Sequence, residues 1–284
     1  KLFNIDHLPD NIFVSPGTKA ANRMGLSKYA SYINSITEQK YGRPLILAMS
    51  ADLSDSTNIS GFAKGYGGAR DKGFYEKTSN TKSPLFPQGI TEFTNAGMMA
   101  GAATVNFSAK PYESFSGFYG AVSTYGSFSY LKYGPLRLFS QLAQDSELKV
   151  GKIIWVVGHS GPETAEDSRT HYGIFAPSVT QLFPNGLIIN IHPWEHNEVA
   201  PSLTAALKID VPIVAIHLTR PSIVIPDREK MGIANHTDSA KGAYIIKNYD
   251  KKNPRKGILI IRGTAPTNSL MKILPELNNK GPNI

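Results

Sequence analysis

The 284 residues are 41% hydrophobic and 18% charged, with 25 Gly, 19 Pro and a net charge of +8, a balance that suits one large globular domain or two modest ones. No apolar run reaches the roughly 20 residues of a membrane helix, and the opening KLFNIDHLPDNIF lacks the basic-then-apolar order of an export signal. Without cysteine there is no disulfide framework, thiolate nucleophile or thiolate metal site, which fits a cytoplasmic protein with no membrane partner.

In chain order, KAANRMGLSKYASYINSITEQ (19–39) spaces its apolar residues as a helix does, interrupted only by Gly25. RPLILAMSAD (43–52) is a short apolar run ending in polar residues, the pattern of a strand buried on both faces. Residues 53–88 are rich in Ser, Gly, Asn and Lys without periodicity, and so long a stretch is expected to be functional or mobile. TEFTNAGMMAGAATV (91–105) reads as a helix of small residues. The aromatic run TYGSFSYLKY (124–133) precedes another helix, LRLFSQLAQ (136–144), and KIIWVVGH (152–159) reads as a strand. A helix near 176–183, a strand at 186–192, a helix at 195–207 and a strand at 212–220 follow. Unbroken Ile and Val strands alternating with helices predict an α/β fold, an open parallel sheet flanked by helices. After Pro221, strand GAYIIKN (242–248), strand GILIIRG (257–263) and helix TNSLMKILPEL (267–277) suggest the beginning of a second small α/β domain. That divides the chain into 1–225 and 226–284.

Part of the positive charge lies in KNYDKKNPRKG (247–257), which reads as a solvated loop between two strands. A nucleic-acid stripe would interleave aromatics with basic residues, and only Tyr249 is present, so no nucleic-acid partner is expected. A basic balance equally suits an enzyme for phosphorylated metabolites.

In open parallel sheets, ligands gather outside the carboxyl ends of strands. Asp52 and Ser56 fall there after the first strand, His159 after the third and Arg220 after the fifth. HSGPETAEDSRTH (159–171) puts His159, Asp167 and His171 on one loop leaving a strand end. A zinc protease would set two His at i and i+4 on a helix with a Glu between; the Gly and Pro here prevent a helix from setting the spacing. Metal ligation, an idle loop and recognition of a hydroxylated or anionic substrate all remain open for these residues, and the strand-end position favours recognition, with imidazoles as donors or proton carriers. Glu92 opens an otherwise apolar helix. The helix dipole favours a carboxylate there, so capping is one reading; the rival is a buried carboxyl whose pKa desolvation raises, leaving a proton to share with a ring nitrogen. Tyr125, Phe128, Tyr130 and Tyr133 form either core or a stacking wall for a flat heterocycle.

Together these segments resemble the transketolase family. SADLSDSTN (50–58) resembles its SADL-x-x-S-N segment, QGITEF (88–93) its Gly-hydrophobic-x-Glu-Phe motif, and HSGPETAEDSRTH its His…Glu-Asp…Thr-His loop. LTRP (218–221) resembles its Ser-Arg step, and KGAYIIKN with ILIIRGT the opening of its third domain. The resemblance implies a thiamine diphosphate-binding pyrimidine domain at 1–225 and a partial C-terminal domain at 226–284. It implies transfer of a two-carbon ketol unit between sugar phosphates, as in the pentose phosphate pathway. Glu92 would hydrogen-bond the aminopyrimidine ring and promote its imino tautomer. Tyr130 would stack on the cofactor with Tyr133 as neighbour, Phe128 being the alternative, and Asp52 would lie near it. His159, Asp167 and His171 would bind sugar hydroxyls and phosphate, with His171 assisting proton transfer, and Ser56 and Arg220 would contact the distal phosphate.

The family's EDGPTHQP stands here as EDSRTHYG, with Ser168, Arg169, Tyr172 and Gly173 replacing its residues. Its first phosphate-binding arginine falls near Thr18 or Lys19, so Lys19 or Arg169 is the expected substitute charge. The Gly-Asp-Gly…Asn element that holds Mg²⁺ (or Ca²⁺) does not occur in the sequence. The resemblance therefore implies a partner chain carrying the diphosphate-binding domain and most of the metal site, in a dimer of heterodimers. Both a natural split subunit and a fragment fit, and the chain alone is expected to be inactive. A beta-type subunit of a thiamine-dependent 2-oxo acid dehydrogenase or decarboxylase is one alternative, against which His171 and Arg220 stand. A catalytically inert domain with an assembly role is the other, against which Glu92, Asp167 and both histidines stand.

Overall fold

The computed structural model describes residues 2–51, 53–67, 73–159, 171 and 176–284. Its strands are Lys19–Ala20 (β1), Ile46–Ser50 (β2), Leu85–Phe86 (β3), Tyr119–Tyr125 (β4), Ile153–Gly158 (β5), Ile188–Ile191 (β6), Ile213–His217 (β7) and Ile223–Val224 (β8). Six of them form one parallel sheet in the order β3-β2-β4-β5-β7-β6, and β1 pairs antiparallel with β8. The helices are Asn22–Tyr41 (α1), Glu92–Thr104 (α2), Tyr133–Asp145 (α3), Ala176–Thr180 (α4), His196–Lys208 (α5) and Thr264–Lys280 (α6). No helix among the described residues is long and apolar enough to cross a membrane.

The predicted open α/β sheet is present, and strand alternation explains how both faces are covered. Ala121, Ile154 and Val214 point to one side, where Leu26 and Ile33 of α1 and Leu203 of α5 pack on them. Their neighbours Val122, Trp155 and Ala215, in register across β4, β5 and β7, point to the other, against Met99 of α2 and Leu136 of α3. The central strands are thus buried on both faces, which is why β5 and β7 read as continuous apolar runs.

Several elements differ from expectation. Lys19 and Ala20 belong to β1 rather than to the first helix, which starts at Asn22 and runs on to Tyr41. It stops at Gly42, whose φ of 71° lets its N–H close on the Glu38 carbonyl. The central strand β4 has no counterpart in the predicted elements, because YGAVSTY replaces Ile and Val with small residues. Gly120 shows why: a Cβ there would lie 2.1 Å from Met99 Cγ. The stretch 53–88 carries a 3-10 helix, Ile59–Ala63, with Ile59 and Phe62 fully buried, and the edge strand β3. The two strands expected at 242–248 and 257–263 do not form. A strand is stable only when its backbone groups find a ladder partner, and among the described residues no strand runs beside these segments. Ile258 and Ile260 are accordingly 72% and 88% exposed, and the basic stretch 247–257 is not framed by strands. α6 does form and lays Met271 and Leu274 on Trp194, Ile223 and Ile233.

Gly25 fixes how closely α1 meets α5. A Cβ there would stand 2.7 Å from the His196 carbonyl oxygen and 2.9 Å from Val199 Cβ. Alanine gains up to about 1 kcal/mol of helix propensity but overpacks this contact, which costs about 1–3 kcal/mol. Gly25→Ala should therefore lower the urea midpoint; a raised midpoint would show that the two helices can separate at no cost.

Candidate functional site

From β2 the chain runs to β3 on one side and then to β4 on the other, so the direction of travel across the sheet reverses there. Such a switch point opens a crevice at the strand ends. A ladder of hydroxyls lines it: Ser50 and Thr57 lie 2.9 and 2.8 Å from Ser123 Oγ. On the opposite face of β4, Glu92 at the first turn of α2 is 5% exposed, and its Oε1 accepts a hydrogen bond of 2.9 Å from Thr124 Oγ1. The start of α2 supplies the positive end of the helix dipole, and Thr124 fixes the carboxyl's direction.

His159 follows β5 with φ 52°, a left-handed backbone that non-glycine residues rarely adopt and that often marks functional sites. The turn places its ring on Tyr125 at 4.3 Å between centroids and 11° between planes. His171 meets the same tyrosine at 4.1 Å. Phe128 reaches His171 at 6.4 Å, edge-on. Nε2 of His159 is 3.0 Å from Arg23 Nη1 and 3.3 Å from Ser56 Oγ. Arg23 Nη1 also donates to the Ser56 carbonyl at 2.6 Å. A guanidinium, a hydroxyl and an imidazole thus converge at the ends of β2 and β5, with His159 Nε2 accepting from Arg23, and the guanidinium's charge suits an anion.

Sequence reasoning missed Arg23. It lies on a helix, 136 positions from the histidine it meets, and no local motif announces it. Its neighbour Asn22 offers the available signal: it accepts from the Thr219 N–H at 2.7 Å, and its Nδ2 donates to the Pro193 carbonyl at 2.8 Å. That buried tie sets the start of α1 against the end of β7, one residue before the exposed Arg220. Lys19 sits on β1, exposed.

The predicted aromatics separate. Tyr125 is buried within the stack, while Tyr130 is 56% exposed. Tyr133 turns to Phe183, edge-on at 5.3 Å. Asp52, Asp167, Ser168, Arg169, Tyr172 and Gly173 lie outside the described residues.

Beyond this corner, His192 and His217 stack at 4.1 Å where β6 and β7 end, and His217 Nε2 is 3.3 Å from Asn190 Oδ1. Burial, with Arg262 adding to it, brings His192 down to about 4, and burial holds His217 well below its ordinary value. Both imidazoles are therefore neutral at pH 7.

Polar groups that converge where a parallel sheet reverses define the class, an open α/β domain built to take a ligand across its strand ends. The model of the transketolase pyrimidine binding domain matches residues 33–224, and the chain belongs to that family. A search of curated proteins gave no match. Solved structures share the fold. Transketolase from Leishmania mexicana matches with a TM-score of 0.62 and 16% identity, over 87% of this chain and 30% of that one. Transketolase from Pichia stipitis in complex with sedoheptulose 7-phosphate gives 0.61 and 22%, over 86% and 32%. That from Campylobacter jejuni gives 0.53 and 19%, over 78% and 29%. The chain thus spans 29–32% of the length of these three structures.

Proposed function

We propose that this chain supplies the pyrimidine side of a thiamine diphosphate site. In this reading it works with a chain carrying the diphosphate-binding domain to move a two-carbon ketol unit between sugar phosphates. The observation that carries the reading is Glu92, a nearly dry carboxyl aimed by Thr124 at the sheet's switch point. A carboxyl so placed can hold or release a proton toward a ring nitrogen, so it fits the aminopyrimidine. Tyr125 and Phe128 offer it aromatic surface, and Asp52 is assigned to the cofactor as well. The nucleophilic carbon for cleaving a ketose is what bound thiamine diphosphate supplies. Arg23, Ser56 and His159, with Arg220, are assigned to the sugar's phosphate, and Arg23 takes the role first sought at Lys19 or Arg169. His171 and Asp167 are assigned to the sugar hydroxyls, His171 also to proton transfer. His171 and Arg220, at positions that resemble the family's sugar site, favour a sugar phosphate over a 2-oxo acid.

Beside Glu92, α2 and its approach expose Ile90, Phe93 and Met98, and a Cβ added at Gly101 would meet nothing within 4 Å. Apolar surface of this kind marks an interaction site, which supports a partner closing the other side of the cofactor. We assign Mg²⁺ to that partner, residues 1–225 to the pyrimidine domain and 226–284 to the start of a C-terminal domain. The chain alone should bind thiamine diphosphate weakly and show no turnover, and adding a diphosphate-domain chain should restore both. Calorimetry tests this: tight binding by the isolated chain would overturn the shared-site reading.

A further inference from the structure

Lys132 closes the aromatic run and has no place in the chemistry above, yet it is fully buried, which lysines almost never are without a partner. Its Nζ donates to the carbonyls of Val122 and Val156 at 3.2 and 3.1 Å, bridging β4 and β5, and lies 5.7 Å from the centre of the Trp155 ring. Those acceptors are neutral and cannot balance a charge. Glu92 can. The amine is anchored on β4 at Val122 and the carboxyl at Thr124, two residues further along, on the side of the sheet that α2 covers. Burial pulls the amine's proton affinity well below the ordinary lysine value, and the Glu92 charge opposes that fall. From β7 the His217 imidazole also feels Lys132, with His192 stacked on it from the end of β6 and Arg262 acting on both. Among the described groups that act on the amine, Glu92 is the carboxylate.

We propose that Lys132 is a positioning residue for Glu92: the buried ammonium and the carboxyl, both anchored on β4, are electrostatically coupled, so that the Lys132 charge steadies the Glu92 carboxylate whenever its proton is given up. When Glu92 gives up a proton, the ammonium stabilises the carboxylate left behind in a poorly solvated pocket. When Glu92 takes the proton back, the ammonium keeps its own protons and its hydrogen bonds to the Val122 and Val156 carbonyls and loses only its counter-charge. The balance is one proton exchanged with the ring nitrogen or solvent and no other bond changed. The proposal rests on the reading of Glu92 as the proton-bearing carboxyl of the site.

The test uses the chain alone, labelled with ¹³C at lysine Cε and titrated by NMR without cofactor or partner. The Lys132 signal is the one missing from Lys132→Met, or from Lys132→Arg, which keeps the charge, should the methionine variant not fold. In Glu92→Gln, checked for native circular dichroism, the Lys132 midpoint should fall by roughly one to three pH units. A midpoint unmoved beyond a few tenths, or an amine that does not titrate in the wild type between pH 5 and 11, overturns the proposal. Either of those results leaves the thiamine reading standing, whereas failure of thiamine diphosphate to bind on reconstitution sinks that reading and leaves the coupling intact.

Discussion

Glu92→Gln in the enzyme reconstituted with its diphosphate-domain chain should lower turnover by roughly 10²–10⁴-fold, the range of a lost general acid–base group. Glutamine keeps the volume and an oxygen that can accept from Thr124 Oγ1, so the fold and the start of α2 are preserved. What it loses is the ability to release and recover a proton. Circular dichroism and the urea midpoint should be close to wild type, and sugar-phosphate binding, assigned to Arg23, Ser56 and His159, should change little. Steady-state assays with a ketose donor check this. Unchanged turnover would remove Glu92 from the chemistry and return it to the role of a carboxylate at a helix N-terminus.

How far the sequence revealed this architecture depended on whether each signal was local. β5 and β7 were legible because a strand buried on both faces must be apolar at every position, and IIWVVG and IVAIH are. β4 is just as buried, but its Gly120 gives way to Met99, so its sequence does not announce a strand. The stretches 242–248 and 257–263 are the reverse case. Their composition favours a strand, but strand formation needs a neighbouring ladder, and none of the described strands lies beside them. At the site, Ser56 and His159 were found because strand ends in a parallel sheet predict where polar residues matter, and the two prove to be hydrogen-bonded to each other. Arg23 and Lys132 were not. One comes from a distant helix, and the other is buried by a turn whose sequence, SYLKY, looks like exposed 3-10 surface. Both become visible only when the β4–β5 region and α1 are seen together.

The segment after β8 is held by a buried charge cluster, and breaking it should be the most costly single change outside the site. Arg228 Nη2 donates to Oε1 of both Glu195 and Glu198 at 2.8 Å, and Nη1 donates to the Ala234 carbonyl at 3.0 Å. The Tyr244 hydroxyl also donates to Glu198, and the guanidinium lies over Trp194 at 5.1 Å. Burial alone would lower the arginine's proton affinity, but the two carboxylates reverse this and raise it. At Glu195 burial wins: it pushes the carboxyl up to about 7 from 4.5, against the pull of Arg228 and with the Glu198 charge adding to the rise. Because the folded value lies above the unfolded one, the stability Glu195 contributes is full below about 4.5 and is lost as pH rises through about 7. Arg228→Leu strips the cation from two buried carboxylates, which at pH 8 should cost about 3–5 kcal/mol. At pH 5 Glu195 already carries a proton, one fewer unpaired charge remains, and the loss should be smaller. Urea unfolding followed by the fluorescence of Trp155 and Trp194 at the two pH values measures both. A loss below about 1 kcal/mol at pH 8 would place this cluster with ion pairs that gain no more than they lose on burial, and Met271 and Leu274 would then be what hold α6 against Trp194.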